Sequence, residues 1–140
     1  MANVTIRFSV YSKTEKTDKL LSKMAKTPDE ITILGYPILL TNGLHSGKKF
    51  QETAYTYVYE LKNIFDIEQC NKNWMDEWKK EIEQIKKLHI DFGFILDLNY
   101  EVTVFDNDYP ALYFQPDFLY VLGMMGVQFS MYFYNDEKQQ

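Results

Sequence analysis

This chain of 140 residues has one cysteine, Cys70, one arginine, Arg7, two histidines and four prolines. A lone cysteine excludes an intramolecular disulfide, so nothing here calls for an oxidising compartment. A single arginine among 15 basic residues, set against 20 acidic ones, leaves no arginine-bearing basic patch of the kind that holds nucleic acid. With only His45 and His89, a histidine-rich metal site is excluded, and any nucleophile with a histidine base would have to use one of these two. His45 lies in a loop beside Ser46, and adjacent residues rarely make such a pair. Cys70 has no local partner motif, and His89 reads as the end of a helix. No catalytic signature remains, and the expectation is a protein that is not an enzyme.

Long apolar runs are missing too. The longest nearly unbroken segment, Phe118 to Val127, is interrupted by Gly123 and Gly126 and is about half of the roughly 20 residues a spanning helix needs. After Met1 the chain enters a strand pattern at Val4 without the charged start and apolar run of a signal peptide. The expectations are no membrane contact and a cytoplasmic location.

What is plentiful is aromatic: 16% of the residues, with 11 Tyr and 10 Phe, inside an otherwise ordinary 46% hydrophobic and 25% charged composition. That excess favours strands, and tyrosine also suits contact surfaces. The length fits one domain, read here as residues 1–134 with a polar tail at 135–140. The net charge of −5 suits a partner with a basic surface.

Val4, Ile6, Phe8 and Val10 alternate with polar neighbours, the period of a half-buried strand. Ser12 and Glu15 form a possible capping box for a first helix carrying Leu20, Leu21, Met24 and Ala25 and ending before Pro28. Ile31, Ile33 and Ile38 to Leu40 suggest a second strand, which Gly35 and Pro37 interrupt, implying a bulge or an edge. Thr41 to Gln51 is the most loop-like stretch, with the turn pairs Asn42-Gly43 and Ser46-Gly47. From Ala54 alternation returns, with Tyr55, Tyr57, Tyr59 and Leu61 on one face.

Asn71 or Asn73 is placed to cap a long helix over Asn73 to Leu88, with Trp74, Trp78, Ile82 and Ile85 on one face. Phe94 to Val104 alternates without a break, predicting a long central strand. Asp106-Asn107-Asp108 turns the chain, Leu112 and Phe114 give a short strand, and Pro116 opens a helix with the stripe Phe118, Leu119, Leu122 and Met125. Gly126 is placed to be its left-handed cap, and Val127, Phe129, Met131 and Phe133 are the inward set of a last strand. The fold class is α+β: an antiparallel or mixed sheet of five to six strands with three helices mainly on one face.

Three patterns invite chemistry. Gly43 to Lys49 superficially has the glycines of a phosphate-binding loop, but it has three residues between them where four are needed, Lys49 in the hydroxyl position and no following helix; a hairpin loop is the better reading. Asp97, Glu101, Asp106 and Asp108 could gather carboxylates at one end of the long strand, yet no calcium-loop spacing is present, and a solvated strand face plus a turn accounts for them. No metal and no cofactor is expected. Tyr55, Tyr57 and Tyr59 form either an aromatic contact surface or, the favoured reading, a cover for the core with their hydroxyls at its rim.

The closing stretch carries a resemblance. Leu112-x-Phe114-x-Pro116-Asp117-x-Leu119-x-x-Leu122-Gly123-x-x-Gly126-Val127-x-Phe129, followed by an aromatic strand through Tyr134, resembles bacterial domain-of-unknown-function family 4279. In that family a proline–acid pair opens a helix, a glycine closes it and an aromatic strand ends the domain. Pro28-Asp29-Glu30-Ile31-Thr32, the glycine loop and the strand at Tyr55 to Tyr59 are compatible with it.

Similar domains occur among immunity proteins, which bind and neutralise a cognate toxin. The resemblance therefore implies an immunity or inhibitor protein with a toxin or effector as partner. Asp97, Glu101, Asp106, Asp108 and the neighbouring Tyr109 are its expected contact residues toward a basic surface. Two other readings stand beside it: a small-molecule-binding or sensory domain with a pocket at Tyr55, Tyr57 and Tyr59, and a phage-encoded inhibitor of a host defence enzyme.

Overall fold

The computed structural model describes residues 1–14, 24 and 26–136; most of the expected first helix lies outside them, while Ser12, its expected cap, ends the first strand and Met24 is buried in the core. The architecture is α+β. A five-stranded mixed sheet in the order β2-β5-β1-β6-β7 is joined by a separate two-stranded hairpin, β3-β4. The strands are β1 (Ala2–Ser12), β2 (Glu30–Thr32), β3 (Pro37–Leu39), β4 (His45–Lys49), β5 (Thr53–Ile64), β6 (Ile95–Phe105) and β7 (Val127–Asp136); the helices are α1 (Glu68–Trp78), α2 (Ile82–Phe92) and α3 (Pro116–Met125).

The alternation in β1 explains its place at the centre. Ala2, Val4, Ile6, Phe8 and Val10 are fully buried, and β1 pairs antiparallel with β5 on one side and β6 on the other. β6 repeats the pattern, burying Leu96, Leu98, Tyr100, Val102 and Val104. β7 lies parallel to β6, which requires a crossover, and α3 supplies it. Pro116 opens α3 and Gly126, at φ 70°, closes it, as the residues predict.

One long helix was expected over Asn73–Leu88; the chain instead forms two, starting five residues earlier at Glu68 and breaking at Lys79–Glu81. No proline or glycine marks the break. Trp74 and Trp78 pack edge-on against Phe8 of the sheet, while α2 buries Ile85 and Leu88; a change of direction lets both apolar faces reach one core. Neither expected cap is used: Ile67 precedes α1 with no side-chain cap, and Asn71 is buried, accepting a hydrogen bond from the Tyr100 hydroxyl at 2.8 Å. α2 ends at Gly93, whose amide donates to the His89 carbonyl while that of Phe94 donates to Leu88.

Other differences have simple causes. The interrupted second strand is two strands, β2 at the sheet edge and β3 in the hairpin, and the stretch read as loop contains β4, pinned where the Ser46 hydroxyl donates to the Ile38 carbonyl at 2.6 Å. Leu112 and Phe114 make no strand; only Ala111 forms a bridge, to Asp66. Phe114 instead packs against Phe118 and Phe129. Leu119 is exposed, unlike Phe118, Leu122 and Met125. Phe133 is partly exposed as well, whereas Val127, Phe129 and Met131 pack against the core. β7 runs two residues into the stretch read as a tail, and Asn135 is tied by its side-chain amide to Asn107 Oδ1 at 2.7 Å. No helix among the described residues is long and apolar enough to cross a membrane.

Candidate functional site

The described helices pack on one face of the sheet, since Trp74, Trp78, Ile85, Leu88 and Phe118 join the core formed by its inward residues. Register decides what the other face presents. On β1, Thr5 lies beside Glu60 and Glu101, Arg7 beside Val58 and Asn99, and Ser9 beside Thr56 and Asp97. β7 sets Gln128 next to Asp97, Ser130 next to Asn99 and Tyr132 next to Glu101.

Cross-strand bonds hold this polar face. The Ser9 and Thr56 hydroxyls are 3.0 Å apart, Asn99 Nδ2 donates to Ser130 Oγ at 2.8 Å, and Arg7 reaches Glu101 at 3.2 Å and Glu30 at 3.4 Å. Exposed pairs of this kind contribute at most about 1 kcal/mol each; their larger effect is to fix side-chain positions. Glu101 is thus an ion-paired acid in the middle of the sheet.

Asp97 differs: burial raises its carboxyl pKa. Nearby, burial raises the Tyr11 phenol pKa, with Asp97 and Glu52 adding to it. A carboxylate whose folded pKa lies above its unfolded value favours the fold when protonated. That contribution is full below the unfolded pKa and is lost as pH rises through the folded one. Asp97→Asn is therefore expected to raise the melting temperature at neutral pH, with the gain vanishing in acid. Parallel thermal melts across that range check it, and a gain independent of pH would refute the assignment.

The other candidates sit elsewhere. Asp106 and Asn107 occupy left-handed backbone at φ 53° and 59°, which Asp and Asn tolerate better than most residues. The Asp108 amide closes the turn on the Phe105 carbonyl at 3.0 Å, and its carboxylate meets the Met1 amine. Tyr109 is exposed, with its ring 5.9 Å from that of Phe133. A recess of about 480 Å³ beside the turn is lined by Met1, Asn3, Asn63, Phe105, Asp106 and Asp108.

Asp106, Asp108 and Tyr109 therefore come together, but Asp97 lies toward the opposite end of β6, about 30 Å away at roughly 3.3 Å per residue. The four acids do not gather, and among the described residues no group of three or more His, Cys, Asp or Glu side chains is placed to hold a metal.

The tyrosines separate as well. Tyr55 and Tyr57 are buried, and the Tyr57 ring packs edge-on to Trp78 at 4.6 Å while its hydroxyl donates to the Lys26 carbonyl at 2.7 Å. Tyr59 stands at the rim. Together Tyr57, Tyr59, Trp78, Lys26, Asp29 and Glu77 line most of a cleft of about 530 Å³. Lys26 spans its mouth, 3.0 Å from Glu77 and 5.5 Å above the Trp78 ring.

Burial raises the Tyr59 phenol pKa, and the nearby Trp78 indole opposes that shift. The two groups nonetheless miss hydrogen-bond geometry, so Tyr59 Oη and Trp78 Nε1 are both buried and unpaired. Of the pocket expected at Tyr55, Tyr57 and Tyr59, the latter two line this cleft and Tyr55 does not. Spacing shows that Trp78 is on a buried helix face, but nothing local says that it meets Tyr57 or that Lys26 reaches it.

Comparison with protein-family models, curated proteins and solved structures finds no match. The reading of function therefore rests on the two places just described.

Proposed function

We propose that this is an immunity or inhibitor protein that neutralises a toxin or effector by direct binding in the cytoplasm. The observation that carries the reading is the sheet face that bears no helix among the described residues. It is broad, polar and internally bonded through Arg7, Ser9, Asn99 and Ser130, with exposed tyrosines at one edge and the Asp106–Asp108 turn at one end. A pre-fixed surface loses little conformational entropy on binding, and tyrosine supplies contact area at low entropic cost. Its acids favour a partner with a basic surface, such as a cleft built for an anionic substrate. Whether the gene is bacterial or carried by a phage that disarms a host defence enzyme does not alter this chemistry.

The test is co-expression with the neighbouring gene product, read as growth rescue and co-purification. Asp106→Asn with Asp108→Asn is expected to slow association and flatten its salt dependence, as removing rim charges does. Unchanged affinity and salt dependence would remove the turn from the interface. Failure of the neighbouring product to be neutralised or captured would count against the reading itself.

The cleft at Tyr59 and Trp78 favours a second reading, a small-molecule site, because a recess of mixed polar and aromatic lining with two unpaired buried donors at its wall can orient a ligand carrying acceptors. A co-purified ligand in native mass spectrometry, released by Tyr59→Phe, would support it.

A further inference from the structure

The two long edges of the sheet are built differently. Beyond the reach of β2, the outer edge of β5 carries Glu60 and Lys62 and ends in an irregularity at Asn63, which has φ 58° and opposes a register shift in β1. Charges and bulges of this kind keep an edge from pairing with another chain. From Val127 to Tyr134, β7 has none of these devices. Val127 to Tyr134 contains no charge and no proline, its register with β6 is regular over ten residues, and among the described residues no strand pairs with its outer side.

The helix above that edge is undefended in the same way. α3 turns Phe118, Leu122 and Met125 into the core. Asp117 and Phe118 share a groove with Glu68, Asn71, Lys72 and Met75 of α1, so the side of α3 bearing Leu119 and Gly123 faces away from α1. Leu119 is 53% exposed and Tyr120 68%, with Tyr132 at 57% and Tyr134 at 55% on the strand.

We infer that β7 is a homodimer edge, pairing antiparallel with β7 of a second copy about a two-fold axis at Met131, so that two five-stranded sheets become one. The sequence of β7 is self-complementary in that register. Phe129 lies opposite Phe133 on the core side, and Ser130 opposite Tyr132 and Gln128 opposite Tyr134 on the open side; a two-fold contact requires this kind of reciprocity. Although each copy carries a net charge of −5, no like charges face each other across the seam, because the charged positions lie outside Val127 to Tyr134. Extent is also adequate. Tyr109, Leu119, Tyr120, Tyr132, Phe133 and Tyr134 present on the order of 600 Å² of side-chain surface, to which the strand backbone adds, against roughly 800 Å² per partner in a standard interface.

Sedimentation or light scattering on the purified chain is expected to give twice the monomer mass. Tyr132→Lys and Leu119→Lys, both at exposed positions, are expected to halve it while leaving the circular dichroism spectrum of the folded chain unchanged, and to lower the melting temperature only by the stabilisation that association supplied. Met131→Cys should form an intermolecular disulfide on mild oxidation, without competition from Cys70, whose buried thiol is pushed up to about 12. A monomeric wild type would overturn the dimer, as would a dimer that survives Tyr132→Lys and does not cross-link through Met131→Cys. If the wild type is monomeric alone and Tyr132→Lys abolishes capture of a different protein, the edge belongs to that partner and the homodimer is likewise overturned.

Discussion

Trp74→Ala is expected to cost about 3–5 kcal/mol of folding stability, within the range for truncating a fully buried large aromatic. Trp74 is completely buried. Its ring meets Phe8 of β1 at 5.4 Å and Phe118 of α3 at 6.1 Å, both edge-on, so it ties α1 to the sheet and to the crossover helix together. The loss combines the transfer energy of the side chain with a cavity that three elements cannot close without moving. Trp74→Phe should cost much less, because a ring remains and the indole N–H, buried and unpaired, is removed. Chemical denaturation of the two variants checks this. A cost below about 1 kcal/mol for Trp74→Ala would show that the site collapses and that α1 is held from elsewhere.

Gly126→Ala is the second large effect, expected at about 2–4 kcal/mol from left-handed backbone and overpacking combined. Gly126 has φ 70°, and an added Cβ would lie 2.5 Å from His89 Nε2 and 2.9 Å from its Cδ2. The imidazole cannot easily give way, since its Nδ1 lies 2.9 Å from the Phe94 carbonyl oxygen, in the segment that caps α2. A double variant separates the two causes: in a His89→Ala background the steric part disappears and only backbone strain remains. The penalty for Gly126→Ala should therefore shrink there. An unchanged penalty would mean that the imidazole is not the obstacle.

Much of this fold is legible locally because its signals are local. Val4 to Val10 and Phe94 to Val104 alternate, and alternation buries one strand face whatever the rest of the chain does. Pro116 and Gly126 bound α3 through their own backbone preferences. The errors fall where partners decide. Lys79 to Glu81 contains no helix breaker, yet the helix ends there so that Trp78 and Ile85 can enter the same core. Leu112 and Phe114 read as a strand but pair with no strand among the described residues, and Phe133 reads as inward although β7 is an edge.

The candidate site divides in the same way. Charge and turn propensity identify Asp106 to Asp108 directly, but the distance from that turn to Asp97, the pairing of Glu101 with Arg7 and the cleft between Tyr59 and Trp78 depend on which strands are neighbours. The stretch from Tyr109 to Tyr134 shows both sides. By itself the sequence determined that a proline-started, glycine-ended helix leads into an aromatic strand, because φ preferences and side-chain periodicity act within a few residues. Only the tertiary structure decided that this strand lies parallel to β6 with no strand on its outer side among the described residues, because strand order follows from burying apolar faces contributed by the whole chain. That choice leaves Tyr132 and Tyr134 on the surface, at an edge where another chain can pair.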